Sequence, residues 1–451
     1  MKKLLRSSMA GMVAVAGLLT LASLPASASA KKHTITCYQV RAGKVMTKKV
    51  KAVKPVCPKG FSKTKPKIQA SSLQGTNKPG DIDLKVSGSA QLNINGSSFD
   101  APMIAATTSG STGYNAGGQV SFSQYPAAGS GSGRAGITSS PASLNIGFSD
   151  QPMSAAAGTL PTGAVAANYA QVPYIQSGAV VGYNLGKGFE NLKLTASEIG
   201  KIYNGDITMW SDPAIVATNG GTKATLGKAL AGLATSNGGN PDAKDTIKVL
   251  YRSGASGTTF AFTDYLFRAD GGTTPAANGN PMEGSGNLWK ATNILGAFNN
   301  AAMAQELVAN PGSIGYVEYS YLLVPGNAPI QTAQLQDKNG QWLVPSLQNI
   351  AAAAAAAGMS ITPDNFSIVY QKGNNVWPFA TYSWAIVAKT QTNQATGEAV
   401  VKYLDWETHY AQGAYALASG YIPLPKAVQD YSRKQLMTVK YNGQVLLTMT
   451  N

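Results

Sequence analysis

Residues 247–267 combine a strand pattern with a helix pattern across a polar turn. Residues 247–251 form a short apolar run with β-branched side chains, which is typical of a buried strand. Apolar residues then recur at helical spacing from Phe260 to Leu266, so a helix is predicted there. The turn between them contains Arg252 among glycines and hydroxyl-bearing residues.

This turn has the chemistry of an anion site. The first N–H groups of a helix have no partner within the helix, and Ser256, Thr258 or Thr259 is a candidate cap for that end. The same N–H groups attract anions, and Arg252 could add a two-pronged contact to a tetrahedral oxyanion. The alternative is an ordinary strand–turn–helix junction with a solvated Arg252, and this stretch alone leaves both interpretations open.

The same succession of strand and small-residue turn occurs elsewhere. We expect a strand up to Asn95, with Ser97 or Ser98 capping a helix that starts near Ala101. The other two strands cover residues 120–125, before a glycine-rich loop at 128–136, and residues 144–149, before Asp150. Strand, turn and helix in repetition predict an α/β protein whose ligands bind at the carboxyl ends of strands.

The first thirty residues predict export. Lys2, Lys3 and Arg6 precede an apolar core that ends in Ala28-Ser-Ala30, the pattern of a signal peptide cleaved after Ala30. No later apolar run reaches the length of a membrane span. We therefore expect a secreted, cell-surface or periplasmic protein.

The net charge of +15 has a local origin. Of the 36 basic residues, 16 lie in residues 1–78, and residues 31–78 contain no acidic residue. The remaining 20 basic residues accompany 21 acidic ones, so the body is nearly neutral. This distribution argues against a nucleic-acid partner for the body.

Residues 31–67 predict a small basic β module. We expect two strands, at 34–40 and 45–53, and a disulfide between Cys37 and Cys57, the only cysteines of an exported chain. Such a bridge stabilises a small hairpin by about 3 kcal/mol. The module is either an electrostatic tether to anionic wall polymer or lipid headgroups, or a solvated basic spacer. Residues 68–87 are predicted to form a linker.

Catalytic residues are scarce. The chain has neither a P-loop nor a nucleophile elbow in its glycine-rich turns, and its only histidines are His33 and His409. His409 lies in an amphipathic helical stretch, which favours a packing residue over a general base. We expect a binding protein that needs no cofactor or metal, rather than an enzyme.

The body resembles the high-affinity phosphate-binding proteins of bacterial ABC transporters. The matching segments follow the family's order and span roughly residues 88–430. They are NGSSFDAP (95–102), GSGSG (129–133), IGFSDQP (146–152), GAVVGYN (178–184), IYNGDITMWSDP (202–213), the stretch 252–266, GSIGYVEY (312–319) and WPF (377–379).

The resemblance implies a type II periplasmic-binding-protein fold, in which two α/β lobes are joined by two crossover strands. Lobe 1 would combine residues 88–182 and 380–440, and lobe 2 would cover residues 183–379. The crossovers would fall near 181–184 and 379–384. Phosphate would bind in the cleft, which closes by a hinge motion.

The resemblance also implies the ligands. Ser132 matches the serine of the glycine-rich loop, although Ser130 remains possible because the loop differs in length. The full predicted set is Ser98, the Phe99 N–H, Ser132, Asp150, Arg252, Ser256, Gly257 and Thr258. Asp150 explains specificity, since a buried carboxylate repels sulfate but accepts a hydrogen bond from protonated phosphate.

One position departs from the family pattern. Where relatives have Arg-Ser-Asp-Gly-Ser-Gly-Thr, this chain has Gly254 in place of the aspartate that would pair with Arg252. Arg134 adds a second cation near the other loop. We expect phosphate to bind still, with altered affinity or anion discrimination.

The sequence therefore predicts an extracellular protein that captures inorganic phosphate for a membrane ABC permease. A second interpretation keeps the fold but makes the chain a surface or cell-wall protein whose ligand is lost or changed. A third, a hydrolase with Ser256 or Ser132 as nucleophile, lacks a plausible base.

Overall fold

The structure is a computed structural model of the chain. It describes residues 31–41, 44–58, 62–63, 85–110, 112–155, 158–236, 244–271, 289–358 and 361–447. The predicted signal peptide and most of the predicted linker lie outside the described residues. Most of the N-terminal hairpin belongs to one compact unit, residues 1–39 and 47–65, and the main body belongs to another.

The hairpin contains the two predicted strands. Strands β1 (His33–Arg41) and β2 (Lys44–Ala52) pair in a two-stranded sheet. A disulfide joins Cys37 and Cys57, whose Cα atoms lie 5.6 Å apart. Cys37 is fully buried, whereas the side chains of Lys48, Lys49 and Lys51 are exposed. The disulfide therefore supplies interior contact to a unit with little apolar surface to bury.

The main body alternates strands and helices, as the sequence pattern predicts. The described α-helices are α1 (Ala101–Thr107), α2 (Ser130–Thr138), α3 (Ala196–Asn204), α4 (Pro213–Thr218), α5 (Thr225–Ser236), α6 (Gly257–Asp270), α7 (Asn300–Ala309), α8 (Leu347–Ala357), α9 (Gln394–Ala411) and α10 (Lys426–Leu436). The strands are β3 (Ala90–Leu92), β4 (Ile94–Gly96), β5 (Val120–Phe122), β6 (Ile146–Ser149), β7 (Tyr169–Tyr183), β8 (Lys248–Arg252), β9 (Ile294–Ala297), β10 (Ser313–Glu318), β11 (Gln331–Thr332), β12 (Leu335–Gln336), β13 (Trp342–Leu343), β14 (Ala380–Ala388), β15 (Thr390–Gln391), β16 (Lys440–Tyr441) and β17 (Gln444–Val445).

The largest sheet has the strand order β4-β6-β14-β7-β10-β8-β9. Parallel pairs lie towards both edges, whereas β7 is antiparallel to both β14 and β10. From Ala170 to Tyr183 every residue of β7 is buried. A strand covered on both faces is typical of α/β architecture.

Strand β7 links the two halves of the body. Its residues 169–178 pair with β14, and its residues 179–183 pair with β10, so the partner changes between Gly178 and Ala179. This change lies slightly before the crossover expected at 181–184. A long strand shared between two α/β halves agrees with the predicted type II periplasmic-binding-protein fold.

Two local predictions were wrong. The glycine-rich segment expected as an open loop is mostly helix α2. Its glycines allow close packing, because a Cβ at Gly133 would lie 2.3 Å from the carbonyl oxygen of Phe148. Helix α1 begins after Asp100 without a side-chain cap, so neither Ser97 nor Ser98 caps it.

The apolar core is continuous through the body, and four tryptophans, Trp210, Trp377, Trp384 and Trp406, are among its largest fully buried side chains. Among the residues that the structure describes, no helix is both long enough and apolar enough to cross a bilayer.

Candidate functional site

The carboxyl ends of β4, β6 and β8 meet the first turns of α2, α6 and α7 in one buried polar cluster. We define this cluster as Ser98, Ser130, Asp150, Arg252, Gly257, Thr258, Asn300 and Ser383. Parallel strands place their carboxyl ends at one edge of a sheet, which is why segments distant in sequence converge here.

Helix α6 points its amino end into the cluster. Ser256 is its N-cap and accepts a hydrogen bond from the Thr259 N–H at 3.2 Å, as the turn pattern predicts. The Gly257 N–H donates to Ser130 Oγ at 3.1 Å. Thr258 Oγ1 donates to Asp150 Oδ2 at 3.3 Å. The positive end of the helix dipole therefore faces a carboxylate and hydroxyl groups.

Asp150 is the central acid. Its side chain is fully buried and accepts hydrogen bonds from Thr258 and, at 3.3 Å, from Ser383 Oγ. Burial raises the pKa of Asp150 to about 6, although hydrogen bonds and the charge of Arg252 oppose that rise. Asp150 is consequently poised between its ionised and protonated forms near neutral pH.

Arg252 is the central cation. It is only 1% exposed, and its Nε and Nη2 donate to the carbonyl oxygen of Phe298 at 3.3 and 3.1 Å. Its backbone N–H donates to the Tyr316 hydroxyl at 3.2 Å. Burial lowers the pKa of Arg252, which nevertheless stays in the range where a guanidinium is charged. A buried guanidinium held by neutral carbonyl oxygen retains its attraction for an anion.

Asn300 bridges the two halves of the cluster and was missed by the sequence analysis. Its Nδ2 donates to Ser98 Oγ and to Thr258 Oγ1, each at 3.1 Å, and its backbone N–H donates to Ser98 Oγ at 3.0 Å. The sequence did contain a pattern typical of the amino end of a helix at this place, because Asn299, the cap of α7, follows the apolar strand β9.

The glycine-rich segment contributes Ser130 rather than Ser132. Ser130 Oγ accepts from the Asp150 N–H and the Gly257 N–H, each at 3.1 Å. The Ser132 hydroxyl turns back to donate to the Ala128 carbonyl oxygen at 3.2 Å. The structure thus places the alternative serine in the cluster, because the first residue of α2 faces α6 and the third does not.

The Phe99 N–H lies beside the cluster but donates to Ser97 Oγ at 3.0 Å. Arg134 is buried nearby, where its Nη1 donates to Ser149 Oγ at 2.9 Å. Burial lowers the pKa of Arg134 to about 10, so it remains a cation. Its positive charge interacts with the charge of Asp150.

Ser383 and Asp100 complete the surroundings of Asp150. Ser383 Oγ lies 2.8 Å from Asp100 Oδ2, and both residues are fully buried. No sequence signal marked Ser383, which lies within the apolar strand β14. Only the pairing of β14 with β6 brings it beside Asp150.

The cluster offers N–H groups, hydroxyls and a guanidinium, with one acid that can accept a proton. That donor set suits an oxyanion carrying a hydrogen. In the described residues, no group of three or more His, Cys, Asp or Glu side chains could hold a metal ion. His409 lies elsewhere, with Nδ1 2.9 Å from the Asp405 carbonyl oxygen in α9.

Comparison with known proteins gives consistent matches. The family model described as the PBP superfamily domain matches residues 85–357. The phosphate-binding protein PstS of Xylella fastidiosa (strain 9a5c) is 31% identical over 345 residues, covering 75% of this chain and 82% of that relative. The phosphate-binding protein PstS of Pasteurella multocida is 30% identical over 322 residues, covering 70% of this chain and 81% of that relative.

Solved structures show the same fold. A high-affinity periplasmic phosphate-binding protein (PfluDING) bound with phosphate aligns with a TM-score of 0.55 at 19% identity, covering 76% of this chain and 93% of its own. A phosphate-binding protein from Stenotrophomonas maltophilia aligns with a TM-score of 0.53 at 20% identity, covering 77% of this chain and 94% of its own.

Proposed function

This chain belongs to the PBP superfamily, and we propose that it captures inorganic phosphate in its buried polar cluster for import by a membrane ABC permease. One observation carries the proposal. The cluster joins Ser98, Ser130 and Asp150 from one half of the body to Arg252 and the amino end of α6 from the other. An anion bound there would touch both halves, which is the geometry of a ligand-closed cleft.

The proposed ligands come from four segments. Ser98, Ser130, Arg252 and Thr258 would donate through their side chains, and Phe99 and Gly257 through their backbone N–H groups. Ser256 would cap α6 and orient its first turn. Asp150 would accept the hydrogen of the bound phosphate. In this assignment Ser130 takes the place predicted for Ser132, because its hydroxyl lies against Gly257 and Asp150.

The body would then act as two lobes, residues 88–182 with 380–440 and residues 183–379. The change of partner along β7 supports a division at the crossover strands. Binding, rather than catalysis, is the activity, because the matched relatives are named phosphate-binding proteins.

Export and delivery belong to the same proposal. The basic and apolar pattern of residues 1–30, with Ala28-Ser-Ala30, supports a signal peptide cleaved after Ala30. A protein that binds phosphate outside the membrane needs a permease to move it inward, and the PstS relatives support that partner.

We extend the proposal to the N-terminal hairpin, which would bind anionic cell-wall polymer. Its exposed Lys48, Lys49 and Lys51 and the absence of acidic residues from 31–78 support an electrostatic contact. Binding of the chain to isolated wall polymer that declines steeply with added salt would support the contact. Binding unchanged by salt, or no binding, would contradict it.

The decisive experiment is a calorimetric titration of ligand-free protein, residues 31–451, with phosphate and then with sulfate. We expect sub-micromolar binding of phosphate, a free energy stronger than about −8 kcal/mol, and no comparable binding of sulfate. If a folded, ligand-free sample takes up neither anion, phosphate capture is wrong and the surface protein with a lost or changed ligand becomes the better interpretation.

A further inference from the structure

Two buried carboxyl groups share one serine hydroxyl beside the anion site. Ser383 Oγ lies 2.8 Å from Asp100 Oδ2 and 3.3 Å from Asp150 Oδ1, and all three residues are fully buried. A hydroxyl has one hydrogen, so Ser383 can donate to only one carboxyl group at a time. The other group must either donate to Ser383 Oγ or leave that contact unsatisfied.

The surroundings decide which carboxyl group holds a proton. Thr258 and the charge of Arg252 favour the ionised form of Asp150. For Asp100, burial and the neighbouring charge of Asp150 both raise the pKa well above its ordinary value. The proton therefore resides on Asp100, which donates to Ser383 Oγ, and Ser383 donates in turn to Asp150 Oδ1.

We propose that Asp100 is a proton-holding positioning residue of the anion site, which acts through Ser383 to keep Asp150 an ionised acceptor. The inference rests on the proposed function, since the partner of that acceptor is the hydrogen of phosphate. Asp100 does not touch the anion. It sets the direction of a hydrogen bond and keeps the site at one negative charge instead of two.

Of the other titratable groups around Asp100, one acid favours the same state. Glu318 is a second buried acid whose charge would also oppose ionisation of Asp100, and burial raises the pKa of Glu318 itself to about 8. The remaining groups that interact with Asp100 are phenols: Tyr125, Tyr174, Tyr321, Tyr403 and Tyr421. Among them, the Tyr174 hydroxyl interacts with Asp100 in a way that lowers the pKa of Asp100, but burial and the charge of Asp150 raise that pKa by more.

Infrared spectroscopy tests the proton directly. A protonated carboxylic acid has a carbonyl stretch that is separate from the carboxylate bands, and buried Glu318 contributes to it as well. The difference between wild type and Asp100→Asn at neutral pH isolates the contribution of Asp100. We expect a carbonyl band that is present in wild type and missing in Asp100→Asn. Identical spectra in that region would overturn the proposal.

Phosphate titration tests the connection to Asp150. We expect Asp100→Leu and Ser383→Ala each to weaken phosphate binding by about tenfold. Each substitution interrupts the buried hydrogen bonds that run from Asp100 through Ser383 to the charged Asp150. The Asp100→Asn variant can still donate a hydrogen bond to Ser383, so its phosphate affinity should be close to that of wild type. For Ser383→Ala the loss should grow as the pH falls, since Asp150 without its donor protonates at a higher pH.

Asp245→Asn is the matched control. Asp245 is also fully buried and accepts from a serine, Ser211 Oγ at 2.8 Å, but lies outside the cluster. The Asp245→Asn variant should therefore bind phosphate with the affinity of wild type. A Ser383→Ala variant that matches wild type at every pH would refute the connection, and if that variant fails to fold, equal binding by Asp100→Leu and Asp100→Asn would refute it.

The outcomes separate this inference from the proposed function. If wild type itself binds no phosphate, the proposed function fails, but the infrared comparison of wild type with Asp100→Asn still shows whether Asp100 is protonated. If wild type binds phosphate but the Asp100 band is absent, phosphate capture stands and the positioning inference fails.

Discussion

At the scale of single residues, we expect Asp150 to give the cluster its selectivity. It is a buried acid placed among hydrogen-bond donors and beside Arg252. An anion without a hydrogen would face an ionised carboxylate at close range, and that repulsion is costly where water is excluded. Selectivity for a protonated oxyanion therefore follows from one charge at one position.

The pKa of Asp150, raised to about 6, predicts opposite pH trends for two anions. Below that pH Asp150 is protonated, so it can no longer accept a hydrogen from phosphate but can donate one to sulfate. We expect phosphate affinity to decrease and sulfate affinity to increase as the pH falls through about 6. Calorimetric titrations of both anions across this range provide the measurement.

Asp150→Asn should remove both trends, because the amide does not titrate. The preference for phosphate over sulfate should also decrease by at least about tenfold. A variant that keeps the wild-type preference would show that another group discriminates between the two anions.

Because residue 254 is glycine, Arg252 lacks the aspartate that the family pattern places two residues after the arginine. A Cβ at Gly254 would have open space, with the Phe298 carbonyl oxygen 4.0 Å away, so Gly254→Asp should fold. The added charge should weaken phosphate and arsenate binding by about threefold at low salt, and added salt should reduce the effect. Gly326→Asp, at an exposed position with open space, is the charge-matched control. Identical phosphate and arsenate affinities before and after Gly254→Asp would contradict this prediction.

At the scale of elements, the site forms where the amino end of α6 contacts Ser130, the first residue of α2, and Asp150, which directly follows β6. A Cβ at Gly257 would lie 2.5 Å from Ser130 Oγ and 2.6 Å from Asp150 Cβ. Glycine is therefore required for the helix to reach the acid. The same principle applies at Gly133, where α2 approaches β6.

Gly257→Ala should consequently push α6 away from Ser130 and Asp150. Overpacking of this kind costs about 1–3 kcal/mol, which corresponds to a loss of about fivefold to about 150-fold in phosphate affinity if the bound arrangement bears the whole cost. Gly232→Ala within α5, where a Cβ meets open space, should leave affinity unchanged. Equal phosphate affinities for both variants and wild type would rule out close approach of α6 as a requirement.

At the scale of the whole molecule, binding and attachment are assigned to separate units. The cluster lies in the main body, where β7 pairs with β14 along one part of its length and with β10 along the other. The hairpin is a separate compact unit closed by its own disulfide. Damage to one unit should therefore leave the other intact.

Replacing both Cys37 and Cys57 with serine tests this separation. The hairpin should lose about 3 kcal/mol of stability and become sensitive to protease. Phosphate affinity should remain that of wild type. A concurrent loss of phosphate binding would show that the two units depend on each other.

The sequence by itself determined the elements and most of the chemistry. The apolar run and helical spacing around Arg252 predicted β8 and α6 correctly, with Ser256 as one of three candidate caps, because these signals are local. The position of Asp150 after a strand and the basic, disulfide-closed hairpin were equally visible. Charge, periodicity and capping are all properties of neighbouring residues.

Only the tertiary structure decided which distant groups meet. It placed Ser130 instead of Ser132 against Gly257, turned a glycine-rich segment into α2, and brought in Asn300 and Ser383. The contacts of Ser130 with Gly257, of Asn300 with Ser98 and of Ser383 with Asp150 join residues 127, 202 and 233 positions apart, so local pattern does not reveal them. Hydrogen-bond partners and burial are properties of the packed chain, and they convert a set of candidate residues into a site.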